Sequence, residues 1–284
     1  MIEKGAGSEA DLAFLDLEDA VAPAERPAAR ANIARAFREL DWWGKRRAFR
    51  INETRSPDCH RDLIEVISGA QGLVDLVIVP KVDAPDDVVF VDRLLAQLEG
   101  RLGLDVGSID IEAQIETAAG LANCEAIAAA SPRFEALVFG PGDFAASLRM
   151  PVGAIGVANE WDAAYPGHRL HYALSRILVA ARANGLRAID GPYADFRDPA
   201  GLRRSCEIAR ALGYDGKWCI HPAQIEIVNE VFSPSEAELA AARAVVEAYD
   251  AALASGRGAA RMEGTMIDAA SLRMARRTLG LDRQ

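Results

Sequence analysis

Residues 73–81 read LVDLVIVPK, an apolar run almost without a break that stops at Lys81. A strand with one wet face alternates apolar and polar residues, whereas consecutive apolar positions suit a parallel strand covered on both faces. Six further runs share the habit of ending in a polar or charged residue. LAFLDLED (12–19) stops at Glu18 and Asp19, RAFRIN (47–52) at Arg50 and Asn52, and IEAQIE (111–116) at Glu116. ALVFGPGD (136–143) stops at Asp143, LRAIDGP (186–192) at Asp190, and KWCIHP (217–222) at His221.

Stretches with helical spacing lie between most of these runs. One follows Pro23 and Pro27, another contains Leu63, Ile64 and Ile67 after Ser56 and Asp58, and a third opens at Asp83 and Pro85 and ends near Leu98. An Ala-rich stretch near 118–130, a helix around 169–184 and one between Asp198 and Gly213 continue the pattern. Strand–helix alternation predicts a parallel α/β architecture, and the spacing favours a TIM (β/α)8-type barrel over an open Rossmann sheet. In such a barrel the C-terminal strand ends meet at one mouth, so the charged strand ends converge on one pocket. No G-x-G-x-x-G follows a strand and no G-x-x-x-x-G-K-[ST] occurs, so neither phosphate-cradling loop is written here.

The count is seven strands where the barrel wants eight. The opening MIEKGAGSEAD reads as the middle of a helix, so a first strand is expected to be missing from this chain. After KWCIHP the character changes, and 233–284 reads as a helical appendage with a hinge near Ser255–Gly258 and no further strand. The expected division is therefore a barrel domain over 1–232 and a C-terminal helical segment over 233–284.

Forty-two acidic against 32 basic residues give a formal charge of −10, which argues against a nucleic-acid surface. Hydrophobic residues at 50% supply ample core, but no run approaches a membrane span and no signal peptide is visible. Cys59, Cys124, Cys206 and Cys219 form no C-x-x-C pair and read as buried or half-buried thiols of a reducing compartment. A cytoplasmic protein is expected.

Glu116 and Asp143 are the candidate metal ligands. Both end predicted strands, and GPGD supplies a tight turn to aim a carboxylate inward. Two carboxylates without a nearby His or Cys suit a hard cation, Mg²⁺ first and Mn²⁺ second, with water and substrate completing the shell. Arg50 has the fork to hold a carboxylate or polarise a thioester oxygen, or else it pairs structurally with Glu18 or Asp19. Glu18 and Asp19 admit two roles, acting through water on the metal or orienting Arg50. Lys81 and Asp190 read as structural. His221 in a His-Pro strand end reads as a shape and hydrogen-bond element rather than a general base. His60, His168 and His171 lack ligand spacing, and Ser147 lacks the G-x-S-x-G context of a nucleophile.

Together LDLEDAVAPAE (15–25), RAFRIN, VIVPKV (77–82), QIETAAGL (114–121), FGPGDFAASL (139–148), AIDGPYADFRDP (188–199), GKWCIHPAQI (216–225) and GTMIDAAS (264–271) resemble the citrate lyase β-subunit-like (HpcH/HpaI) aldolases. The nearest branch is the malyl-CoA, β-methylmalyl-CoA and citramalyl-CoA lyases. The resemblance implies Mg²⁺ on Glu116 and Asp143, with Arg50 contacting the thioester carbonyl and the oxoacid. It implies that backbone around Gly142–Asp143 holds the oxoacid, and that Lys4, Ile220 and His221 line the CoA path. Asp268, within a C-terminal lid reaching a neighbouring subunit of a homotrimer or hexamer, is the implied acid/base group. Family members carry a strand upstream of MIEK, which implies that about two dozen residues completing the barrel are absent here, by a misassigned start or a real loss. The implied reaction is reversible Claisen cleavage of a 3-hydroxyacyl-CoA to glyoxylate or pyruvate and acetyl-CoA or propionyl-CoA. A malyl-CoA thioesterase and a non-catalytic CoA-binding paralogue are the alternatives.

Overall fold

The computed structural model describes residues 2–281 apart from 152, 166, 167 and 263. The chain divides into two compact units, Met1–Glu230 and Val231–Gln284. A short helix, α1 (Ile2–Ala6), precedes the first strand. The sheet strands are β1 (Leu12–Asp16), β2 (Arg46–Arg50), β3 (Leu76–Val79), β4 (Asp110–Ile115), β5 (Phe134–Phe139), β6 (Arg187–Asp190) and β7 (Gly216–Lys217). They form one parallel sheet in chain order from β1 to β7. The connecting helices include α2 (Arg26–Glu39), α3 (Cys59–Gly69) and α4 (Pro85–Leu102). The Ala-rich stretch after β4 breaks at Asn123 into α5 (Ala118–Ala122) and α6 (Cys124–Ala128). Then come α7 (Pro141–Ser147), α8 (Glu160–Ala164), α9 (His171–Ala183) and α10 (Pro199–Leu212).

Flat, seven strands would place the first and last about 29 Å apart at the usual inter-strand spacing. Instead the ring of Phe14 on β1 lies 4.5 Å from that of Trp218, the residue after β7. The sheet therefore curls round as a barrel of the TIM type does, seven-stranded as the sequence predicts. Among the described residues β1 and β7 share no ladder, so a seam runs between them. Burial records the seam: β3, read from its continuous apolar run, is buried at every position, whereas every residue of β1 is half-buried.

Register puts the functional strand ends in one plane. Asp16 pairs with Arg50 across β1 and β2, and Arg50 with Ile78 across β2 and β3. Alternation then turns Asp110, Glu112 and Gln114 of β4 to the inner side, with Glu116 next in the series. A buried polar chain ties the outer helices to this plane. Arg30 of α2 donates through Nε to Asp62 of α3 at 2.7 Å, and Asp62 accepts the backbone N–H and side-chain amide of Asn52 at 2.8 and 2.7 Å. The same amide donates to the carbonyl of Leu17 at 3.0 Å. Asn52 is thus a fastener between the ends of β1 and β2. Asp58, at the head of α3, makes no cap hydrogen bond, its carboxylate being taken by Arg26 and Arg30.

Two expectations need correction. The final strand is only Gly216–Lys217, and KWCIHP leaves the sheet at Trp218 to enter a 3-10 turn over Pro222–Gln224. The tail is not wholly helical. After α11 (Ile225–Phe232) and α12 (Glu236–Ala254), an antiparallel hairpin of β8 (Ala260–Met262) and β9 (Thr265–Ile267) precedes α13 (Ala269–Thr278). Strands of three residues are too short for alternation to declare itself in sequence. Tyr249, Ile267 and Leu272 make the small core of this second unit.

Replacing Asn52 with Ala takes the side-chain donor from the Leu17 carbonyl and one of the two Asn52 donors from Asp62. We expect a loss of about 1–3 kcal/mol, read as a lower urea midpoint at unchanged slope.

Candidate active site at the open strand ends

Arg50 is gripped from one side. Its Nε and Nη2 donate to the two oxygens of Asp16 at 2.8 and 2.7 Å, a bidentate pair between the last residues of adjacent strands. The remaining nitrogen, Nη1, lies 2.9 Å from Glu18 Oε2 and 3.3 Å from Gln114 Oε1. The Trp218 ring lies 5.8 Å from the guanidinium carbon. Burial opposes the charge, but the surrounding carboxylates, Asp16 first, raise the guanidinium pKa above its ordinary value, so it stays cationic. Asp16 in turn sits below the usual carboxylate range, because the Arg50 bonds and two backbone N–H groups outweigh burial.

Glu116 is held by backbone and amide. Its Oε1 accepts the N–H of Lys81 at 2.7 Å and its Oε2 the side-chain amide of Gln114 at 3.1 Å. Lys81 adopts φ 48°, a left-handed conformation costly for a residue with a side chain. That backbone supplies the N–H to Glu116 while the ammonium reaches Glu18 in an ion pair and lies 3.4 Å from Asp19. A residue read as structural is therefore part of the site on two counts. Gly140 matters for a steric reason: a Cβ there would stand 2.4 Å from Glu116 Cβ and 2.3 Å from its Oε2. Pro141 opens α7 and leaves Asp143 in its first turn.

The carboxylates crowd one another. Burial, then the charges of Glu18 and Asp143, push Glu116 up to about 8. Glu18 is raised by burial as well, although Arg50 and Lys81 oppose this. Its Oε2 is buried and, for all its closeness to Arg50, lacks hydrogen-bond geometry. Among the described residues no three His, Cys, Asp or Glu side chains are gathered as a ready-made metal cage. Glu116 and Asp143 instead border one cavity of about 650 Å³ together with Arg50, Gln114 and Asp19. Two carboxylates, excess negative charge and open space for water or substrate oxygens are a donor set that fits a hard cation such as Mg²⁺.

Gly142, beside Asp143, and Ile220 also line this cavity, whose other end runs along the seam past Ile2, Ala13, Leu15 and Ile33. Lys4 is exposed on α1, whose Ile2 and Gly5 flank the seam. His221 is spent locally: its Nδ1 accepts the N–H of Ala223 at 3.1 Å and its ring stacks on Phe196 at 4.6 Å. Asp190 is paired with buried Lys217 at 2.5 Å, and Ser147 accepts the N–H of Ala118. In the second unit Asp268 caps α13, accepting the N–H groups of Ala270 and Ser271 at 3.0 and 2.9 Å. Those Ser271 and Ala270 bonds hold its pKa below the ordinary carboxylate value. Sequence reading missed Asp16 and Gln114. The signal was present, since each lies two residues before a chosen carboxylate on the same strand face.

A curled parallel sheet with paired acids and an arginine at its C-terminal ends defines a class, and comparison with known proteins gives it a family. Residues 1–222 match the HpcH/HpaI aldolase/citrate lyase family, and the chain belongs to it. It is 41% identical over 281 residues to the L-malyl-CoA/β-methylmalyl-CoA lyase of Rhodobacter capsulatus, covering 97% of this chain and 88% of that protein. It is 35% identical over 278 residues to a (3S)-malyl-CoA thioesterase of Cereibacter sphaeroides, covering 98% and 88%. The CitE protein of Mycobacterium tuberculosis, solved with magnesium, acetoacetate and coenzyme A, superposes with a TM-score of 0.73 at 33% identity, covering 96% and 90%.

A carboxyl whose pKa is raised from 4.5 to about 8 on folding stabilises fully below pH 4.5, and that stability is lost as pH rises toward 8. In EDTA at pH 8.5, Glu116→Gln is therefore expected to be more stable than wild type by roughly 1 kcal/mol or more, measured by urea unfolding. At pH 4 the difference should vanish. Gly140→Ala is expected to displace Glu116 and weaken Mg²⁺ binding about tenfold or more, followed by calorimetric titration.

Proposed function

We propose that the protein is a Mg²⁺-dependent carbon–carbon lyase. It cleaves a 3-hydroxyacyl-CoA such as malyl-CoA, β-methylmalyl-CoA or citramalyl-CoA, reversibly, to glyoxylate or pyruvate and acetyl-CoA or propionyl-CoA. The observation that carries this is the convergence of Arg50, Glu116 and Asp143 from three strand ends onto one cavity. The lyase and CitE relatives support it.

Glu116 and Asp143 would hold the cation, with backbone at Gly142–Asp143 receiving the oxoacid. A cation held there would supply Lewis acidity toward the substrate's 3-hydroxyl oxygen, which carries negative charge once its proton has passed to solvent and gives that charge up as the C–C bond breaks. Arg50, fixed by Asp16, presents Nη1 to the thioester oxygen, where the electron pair of the broken bond is delocalised as an enolate. Asp16 occupies Nε and Nη2, so Nη1, which also donates to Gln114, is the nitrogen left to meet the developing charge. Asp268 of a neighbouring subunit's lid takes a proton from the acyl α-carbon in condensation and, protonated from solvent, gives one to the enolate carbon in cleavage. A lid exchanged between subunits would make the working form a homotrimer or hexamer, with the chain passing from the barrel segment to the lid segment near residue 232. Lys4 and Ile220 with His221 flank the route of the CoA arm along the seam. Glu18 and Asp19 balance Lys81 and Arg50 at the rim. Among the described residues no helix is long and apolar enough to cross a membrane, and a cytoplasmic location is part of the proposal.

The test is product analysis with malyl-CoA, β-methylmalyl-CoA and citramalyl-CoA, with and without Mg²⁺. Oxoacid plus acyl-CoA in equal amounts is the expected result. Free hydroxyacid plus CoA would instead establish a thioesterase, a reading favoured only by the 35% identical relative. Glu116→Gln and Asp143→Asn are each expected to lower cleavage at least about a thousandfold, and full activity in either would overturn the assignment.

A further inference from the structure

The site cavity has a neighbour. A second space of about 560 Å³ lies between α9, α10 and the segment joining α7 to α9, and its lining includes Phe139, Leu174 and Ile208. Five residues border both spaces: Pro141, Gly142, Asp143, Ile155 and Pro192. They form a partition at the metal end of the site cavity, opposite the end that runs along the seam. Ile155 is the part of it that a side chain builds. Its Cδ1 lies 2.9 Å and its Cγ1 3.2 Å from where a Cβ on Gly142 would stand, so it rests on that glycine directly beside Asp143. Its position is fixed from behind. The Ile155 carbonyl accepts the N–H of Ala194 at 2.9 Å, and Gly156 takes φ +72° to let the turn pass close to the Pro192 carbonyl.

This geometry divides the substrate. The long thioester arm requires the seam end, which is open and apolar. A 2-oxoacid held at Glu116, Asp143 and the Gly142 backbone then has its substituent toward the partition. Pro141 and Pro192 are rigid rings, so the width available there is set by Ile155. We propose that Ile155 is the specificity-determining residue for the oxoacid, limiting its substituent to hydrogen or a small alkyl group. Shortening it joins the two cavities and admits larger 2-oxoacids. The inference rests on the lyase reading above and adds the residue that sets substrate size.

The experiment measures condensation of acetyl-CoA with glyoxylate, pyruvate and 2-oxobutanoate in wild type, Ile155→Val and Ile155→Ala. In parallel, the three acids are titrated calorimetrically in MgCl2 without thioester. In Ile155→Ala the ratio of kcat/KM for pyruvate over glyoxylate is expected to rise about tenfold or more, with 2-oxobutanoate gaining further and Ile155→Val intermediate. The binding constants should follow the same order. Equal loss for all three acids, or ratios within about twofold of wild type, would show that Ile155 only supports the loop and would overturn the proposal. If Ile155→Ala fails to fold by circular dichroism, Ile155→Val decides by the direction of its ratio. Wild-type protein that binds the acids but condenses none overturns the lyase reading, leaving Ile155 to be judged on binding ratios. Protein that neither binds nor condenses any of them overturns both.

Discussion

The bidentate contact between Asp16 and Arg50 is the constraint on which the mouth of the sheet depends. It joins the last residues of β1 and β2 in register, so it is at once a strand clamp and the fixing of a cation. Removing one partner of such a largely buried pair costs about 3–5 kcal/mol, because the other is left charged without compensation. The positions of Glu18 and Gln114 follow from it, since both meet the one nitrogen that Asp16 leaves over. Gln114 then passes the constraint to Glu116, and Lys81 closes the ring by touching Glu116 through its backbone and Glu18 through its ammonium.

Negative charge in that ring exceeds what two cations balance. The excess is visible on β4, whose inner side is polar at Asp110, Glu112 and Gln114, with Glu116 just beyond the strand. Deeper in the sheet Glu112, almost wholly buried, is pushed up to about 7 by desolvation, with Arg46 only partly offsetting it. Such a column is poor core material, and an apolar series there would stabilise the fold more. Its presence argues that this strand is shaped by the requirement to gather carboxylates, with stability drawn from elsewhere. The helix-side network of Arg30, Asp62 and Asn52 and the buried pair of Arg133 with Glu99 are two such places.

Most of the fold was legible because burial on both faces leaves a plain trace: LVDLVIVPK reads as a covered strand and is one. Strand number and order followed from counting such runs. Elements of two or three residues, β7, β8 and β9, were lost or overextended because nothing so short shows a period. In the site, strand-end carboxylates and Arg50 announced themselves by position. What escaped was set by three-dimensional closeness: Asp16 as the partner of Arg50, Gln114 as a bridge, and the left-handed backbone that makes Lys81 a donor. His221 looked chemical, but its ring nitrogen is consumed by a turn.

The seam between β1 and β7 also bears on how the molecule comes apart. A closed barrel has no end from which to unravel, so its strands tend to share one fate. Among the described residues β1 is laddered on one side only and β7 is two residues long, while β3 to β5 sit in the middle of the sheet. Opening free energies should therefore be graded, lowest at the two margins and highest in the centre. The margins include the strand bearing Asp16, so the residue that fixes Arg50 belongs to the part of the sheet that opens first. The arrangement around Arg50 would thus be lost to local opening well before the molecule unfolds.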